Sequence, residues 1–350
     1  MKNEYLHHTL MALFLATSLL PAAASATRTL IYSDHEPLGG MRTRFINDVL
    51  FPAIEKESHG RLKIDAHWGG ELNTSYEALG KVSKGNVDMA TIVPEYSASQ
   101  LPLHQIFKSF PVGPTGAQQV AFFRRAYADI PAFPAELKKN NVVGIFLETG
   151  YPLAFFSSKP ISNLSEISGT WRSASFWHRD FLHSAGATPV TMPWGEPTYN
   201  ALKSGAIDGM MLNVDSGYDL KAYQFAPNVL IAKDLWLGHL YILAINEKIW
   251  DTLSPQDQAA IQRAAQTAYH SLGAVMDSSF TTQIDDLRKI GATVRLLNSQ
   301  EVAQWQTTTH YQAAQAKWVK EQEAQGIKEA GTVMKQVNAL MDDTLRQTAH

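Results

Sequence analysis

Cysteine is absent from all 350 positions. That excludes disulfides, thiolate metal sites and cysteine nucleophiles, and it excludes a lipid anchor carried on an acylated cysteine. An excess of either charge is also missing. Lys and Arg total 30 against 33 Asp and Glu, a formal net charge of −3. This near balance leaves no electrostatic footprint for nucleic acid or an acidic membrane surface. No Gly-x-Ser-x-Gly elbow, Gly-x-Gly-x-x-Gly turn, phosphate loop or His-Glu-x-x-His pair occurs, which removes the common signatures of hydrolases, dinucleotide enzymes, nucleotidases and zinc proteases. Beyond the N-terminus, no apolar run approaches the length of a membrane span.

The N-terminal apolar run is of another kind. It extends from Leu10 to Leu20, is followed by Pro21, and closes on Ala24-Ser25-Ala26. This reads as a secretory signal with an Ala-x-Ala cleavage site, cut after Ala26, and it predicts export to the periplasm. The run is too short to span a bilayer comfortably. The 324 residues left after cleavage are enough for two domains.

Residues 169–216 carry most of the functional information. Gly169-Thr170-Trp171-Arg172 is a short strand ending on an arginine. Gly186-Ala187-Thr188-Pro189-Val190 is another strand, and Met192-Pro193-Trp194-Gly195-Glu196 is a loop. The alternation of short apolar strands, glycine- or proline-marked loops and helices is that of a βαβ lobe. In such lobes ligands bind at the carboxyl ends of strands, so Arg172 reads as an anchor for an anion. Its planar fork pairs both oxygens of a carboxylate and keeps its charge.

Two segments resemble each other. Tyr76-Glu77-Ala78-Leu79 leads through Gly85 and Asp88 to Met89-Ala90-Thr91-Ile92. Tyr199-Asn200-Ala201-Leu202 leads through Gly205 and Asp208 to Gly209-Met210-Met211-Leu212. Each reads as a helix stopped by a glycine and followed by a buried strand and a polar loop, which predicts two related lobes with facing strand-end loops. Further strands are expected at 28–32, 61–66, 142–146, 228–231, 240–245 and 293–297, and a helix over about 116–140. Ser254-Pro255-Gln256-Asp257 is a strong helix start, and nothing stops that helix before Gly291, so it exceeds thirty residues and spans both lobes.

The ordered set of motifs resembles the periplasmic solute-binding proteins of tripartite ATP-independent periplasmic (TRAP) transporters, of the dicarboxylate-binding type. The features that carry it are Arg61-Leu62-Lys63-Ile64 then Gly70-Glu71-Leu72, Gly85 with Asp88, and Gly169 with Arg172. They continue with Gly186 to Val190, Met192 to Glu196, Gly205 with Asp208-Gly209, and Gly238-His239-Leu240-Tyr241. The resemblance covers about residues 29–286. It implies an α/β fold of two lobes, a periplasmic clamshell with crossing strands and the long helix spanning both. Expected boundaries are a signal at 1–26, lobe I at 27–150 plus about 240–275, lobe II at 151–239 plus about 276–325, and a helical C-terminal tail at 326–350. It also implies an organic acid held by Arg172 and delivered to membrane permease subunits. Asn213 stands one place later than the ligand-binding asparagine of many relatives, and His239 matches a position commonly occupied in the family.

Around this anchor, Trp68, Tyr96, Trp177 and Trp194 lie in loops or at strand ends where apolar pocket walls are built. Asp34, Glu71, Glu95 and Asp215 lie in loops able to face a cleft. The expected site is therefore Arg172, Asn213, Trp177, Tyr96, His239, Trp68, Glu71, Trp194 and Asp215, with no catalytic residue, cofactor or metal. The expected ligand is a small organic anion, foremost a monocarboxylate with an aromatic or apolar body, with a sulfonate or dicarboxylate as alternatives. The protein is expected to be a monomer with no nucleic-acid partner. Competing readings are a ligand-sensing subunit and a secreted hydrolase or lyase using His35, His178 or His239.

Overall fold

The computed structural model describes residues 27–348. The signal segment and its cleavage site lie outside the described residues. In chain order the strands are β1 (Arg28–Ser33), β2 (Leu62–His67), β3 (Met89–Ile92), β4 (Val142–Thr149), β5 (Leu153–Ser157), β6 (Gly169–Arg172), β7 (Ala187–Val190), β8 (Gly209–Asn213), β9 (Asn228–Ile231), β10 (Leu240–Asn246) and β11 (Thr293–Leu296). They form a five-stranded sheet ordered β2-β1-β3-β10-β4 and a six-stranded sheet ordered β11-β9-β5-β8-β6-β7. Each sheet supports one lobe.

By the end of β11 the chain has crossed between lobes three times. It passes from β4 to β5, from β9 to β10, and along the helix Pro255–Lys289. A strand arriving from the other lobe needs no crossover helix of its own and enters antiparallel. Thus β10 runs antiparallel to β3 and β4, and β5 runs antiparallel to β8 and β9, while β1 with β2 and β3, and β6 with β7 and β8, are parallel. The long helix is 35 residues, about 50 Å at 1.5 Å per residue. The Ser254 hydroxyl accepts from the Asp257 N–H at its start, and Gly291 follows its end at φ 93°.

Strands at the sheet centres are buried on both faces, as their unbroken apolar runs require. Alternate residues feed opposite cores: Leu243, Ile245, Met210 and Leu212 join a core roofed by the long helix, while Ile242, Ala244 and Met211 join one closed by the C-terminal helices. Each core therefore spans both lobes.

The repeat has a structural counterpart. After each repeat helix a glycine turns the chain at φ 72° (Gly85) or 73° (Gly205). The next aspartate then braces the strand that neighbours the one it leads into: Asp88 Oδ2 accepts from Ile31 N–H of β1 and Asp208 Oδ2 from Thr170 N–H of β6, both at 2.8 Å. In the same two pairs the aspartate N–H donates back to the carbonyls of Ile31 and Thr170.

One expectation needs correction. The helix expected over 116–140 is two helices, Gly116–Asp129 and Ala132–Lys139. Pro131 lacks an N–H and holds Ile130 at φ −120°, ψ 89°, outside the helical region. The helical tail expected at the C-terminus is docked rather than free-standing. Ala330–Thr348 packs on Gly116–Asp129, with Val337 and Met341 buried and Arg125 paired to Asp343 at 2.8 Å.

Candidate functional site

The carboxyl ends of β3, β6 and β8 converge on a cavity where the lobes meet. From the first lobe it is lined by His35, Glu36, Glu95, Tyr96, Lys108, His239 and Tyr241. From the second it is lined by Arg172, Ser173, Ser175, His178, Trp194, Met211, Asn213 and Ser216.

Arg172 ends β6 and is only 3 % exposed. Its Nε and Nη2 donate to the Met192 carbonyl at 3.0 and 2.8 Å. That bond fixes the plane of the guanidinium and leaves the Nη1 edge for another acceptor. Tyr96 reaches the same guanidinium from the opposite lobe. Burial raises its hydroxyl to about 12, with Arg172 opposing the rise.

Across the cavity lies a buried polar cluster. Lys108 Nζ sits 3.2 Å from Glu95 Oε1 and 3.0 Å from His239 Nδ1, and it donates to the Leu237 carbonyl at 3.4 Å. Burial lowers the Lys108 pKa, against the pull of Glu95. Burial, followed by the Lys108 charge, pushes His239 and His178 well below the usual imidazole range, so both are neutral. His239 Nδ1 can then accept from Lys108. Several lining groups have buried polar atoms with no protein partner: Glu95 Oε2, Ser173 Oγ, Ser175 Oγ and His178 Nε2. Each such atom costs about 1–3 kcal/mol unless a ligand or water satisfies it.

A second network fixes Glu36. Arg42 Nε and Nη2 donate to Glu36 Oε2 at 3.0 and 2.8 Å, and Tyr241 donates to Oε1 at 3.3 Å. The same guanidinium grips both oxygens of Asp34 at 2.8 Å and lies 4.3 Å from the centre of the Tyr241 ring. Burial would raise the Asp34 pKa, but Arg42 outweighs it and holds the carboxylate at about 2. Glu148, buried behind them and 3.6 Å from Arg42 Nη1, is pushed well up by its burial. Asp215 behaves likewise, through burial and then through Asp219.

Among the carboxylates, lysines and arginines that line the cavity, Arg172 and Lys108 stand against Glu36 and Glu95. Among the described residues no group of His, Asp and Glu is arranged to hold a metal ion.

Of the residues expected at the site, Arg172, Asn213, Tyr96, His239 and Trp194 line the cavity. Trp194 also braces the second lobe, its Nε1 donating to the Ser216 carbonyl at 3.0 Å. Four others stand apart. Trp177 is a core residue packed against Trp318 at 5.7 Å. Trp68 packs on Tyr32 and Phe51 inside the first lobe. Glu71 is exposed beside His67. Asp215 is buried beside the cavity but does not line it. The aromatics stand apart because large apolar rings gain as much from a core as from a pocket wall. Sequence reasoning did not place Glu36 or Lys108 at the site. Lys108 lies in the short turn Leu103–Lys108, and no local pattern marks a lysine for burial.

The model of the bacterial extracellular solute-binding protein family 7 matches residues 48–322. The ectoine-binding periplasmic protein TeaA of Halomonas elongata is 26 % identical over 312 residues, covering 82 % of this chain and 86 % of that protein. The ectoine/5-hydroxyectoine-binding periplasmic protein UehA of Ruegeria pomeroyi is 24 % identical over 57 % of this chain and 59 % of its own. Among solved structures, a TRAP solute-binding protein from Rhodoferax ferrireducens with copurified benzoate superposes with a TM-score of 0.81 at 19 % identity. It covers 92 % of this chain and 100 % of its own. DctP6 of Bordetella pertussis, a receptor binding pyroglutamic acid, gives 0.76 at 20 % identity, covering 91 % and 100 %.

Proposed function

The chain belongs to bacterial extracellular solute-binding protein family 7, of the TRAP type, and from that premise we propose that it binds a small zwitterionic carboxylic acid. The carrying observation is the charge balance of the cavity. Arg172 offers a fixed fork for a carboxylate, while Glu36 and Glu95 present carboxylates to the same cavity. A plain anion would leave a net negative charge in a closed, low-dielectric space, and a second acid group would find no free cation. A ligand carrying its own cation, such as an amidinium or ammonium, keeps the sum at zero. Ectoine, bound by two of the relatives, is a cyclic amidinium carboxylate of this class.

In this reading the ligand enters an open cleft, its carboxylate pairs with Arg172, and its cationic side faces Glu36 and Glu95. The lobes then close, and the TRAP permease recognises the changed relation of the two lobe surfaces. Lobe I is taken as 27–150 with about 240–275 and lobe II as 151–239 with about 276–325, with the last helix docked on lobe I. The protein works as an exported monomer in the periplasm after cleavage behind Ala26, and it releases its ligand chemically unchanged.

The test is mass spectrometry of ligand released from the purified protein, with calorimetry on ectoine, pyroglutamate and benzoate. Ectoine binding tighter than benzoate by tenfold or more is expected. Preferential binding of benzoate or of a dicarboxylate would overturn the proposed class.

A further inference from the structure

Gly150 begins the crossing from β4 to β5, the segment that joins the two sheets. Its N–H donates to the His239 carbonyl at 3.3 Å. The space beside its Cα is already filled. A Cβ placed there would lie 1.7 Å from Asn213 Nδ2, 3.0 Å from Asn213 Cγ and 3.2 Å from His239 Cβ. Gly150 is not among the glycines of positive φ, so glycine is required here for room alone. Leu153, three residues on, pairs with Asn213 across β5 and β8, which fixes the register that brings the two together.

Asn213 is 1 % exposed and lines the cavity. Its Nδ2 points back at the crossing and donates to the Tyr151 carbonyl at 3.4 Å. An amide oxygen at that place would face the Tyr151 oxygen, so the contact decides which end is nitrogen. The oxygen end is the one left for the cavity.

We propose that Gly150 is a positioning residue for ligand binding: its missing side chain is the seat of the Asn213 amide, held with nitrogen on the inter-lobe crossing and oxygen toward the ligand. The seat belongs to the segment that joins the lobes, so the ligand-facing amide is set in place by the hinge itself. The affinity part of this inference rests on the ligand class proposed above; the seat does not.

The experiment is a double-mutant cycle on the full mature chain with Gly150→Ala, Asn213→Ala and the pair together, reading the Tm without ligand and the calorimetric Kd for ectoine. Gly150→Ala is expected to weaken ectoine by about tenfold or more and to lower Tm by at least about 3 °C, the usual scale for an overpacked site. In the double variant the added methyl meets no amide, so its Tm returns to that of Asn213→Ala and its Kd matches that variant within about threefold. Equal effects of Gly150→Ala in both backgrounds would overturn the proposal. If the wild-type protein binds no ectoine, the ligand class fails, and the ligand-free Tm cycle decides the seat by the same criterion: rescue supports it and additivity overturns it.

Discussion

Replacing Arg172 tests the anchor most directly. The guanidinium is 3 % exposed and bound to Met192 O through Nε and Nη2. A carboxylate on its free edge would make up to two charge-assisted bonds, each worth about 1.5–3 kcal/mol. Arg172→Ala should then cost about 3–6 kcal/mol of binding, a loss of roughly 10²–10⁴ in affinity at 1.4 kcal/mol per decade. Arg172→Lys keeps the charge but cannot both bind Met192 O and present a fork, so a loss of roughly 10–100-fold is expected. Isothermal titration calorimetry with the ligand recovered from the protein is the assay. Thermal unfolding without ligand separates the lost Met192 contact from lost binding. An Arg172→Ala protein that folds and binds within about threefold of wild type refutes the anchor and the charge argument built on it.

Glu36→Gln should weaken a cation-bearing ligand by about tenfold while leaving benzoate unchanged or improved, because one facing carboxylate is neutralised; competition calorimetry with the two ligands reads this, and equal effects would count against the zwitterion. The buried neutral imidazoles of His178 and His239 make stability pH-dependent. Their folded pKa values lie below the ordinary 6.5, so the unfolded chain binds more protons, and stability is lost as pH falls below about 6.5. The slope is up to about 1.4 kcal/mol per pH unit for each histidine. Urea unfolding between pH 7.5 and 5.5 should show a shallower loss in His178→Gln than in wild type. The comparison with wild type isolates the imidazole from the raised carboxyl groups of Asp215 and Glu148, which act with opposite sign. Asp88→Ala and Asp208→Ala each remove an equivalent strand brace, so each should cost about 1.5–3 kcal/mol in chemical denaturation; a large cost for one and none for the other would show that the repeat is not energetically symmetric.

Local rules wrote much of this molecule into its sequence. The Ser254 cap and the Gly291 stop delimit the long helix, and the apolar run at Leu240–Asn246 is a central strand because both of its faces are buried. The paired glycine and aspartate motifs predict two lobes, and both aspartates turn out to brace a neighbouring strand in the same way. Arg172 was legible because a strand, an arginine and a loop are consecutive in the chain.

The walls of the cavity were decided elsewhere. Lys108, Glu95 and His239 come from separate turns and meet only because β10 enters the first sheet between β3 and β4. Glu36 becomes a fixed carboxylate only through Arg42, which stacks on Tyr241 from that same strand. Trp177 and Trp194 look alike in sequence, yet one is core and the other lines the cavity. Periodicity and caps express the backbone conformation of a few neighbouring residues, and these the sequence determines by itself. Burial, charge pairing and protonation depend on which distant groups are brought within a few ångströms. The sequence by itself pointed to an arginine at the end of a strand; the packing of two lobes decided that Glu36, Glu95 and Lys108 would line the same cavity.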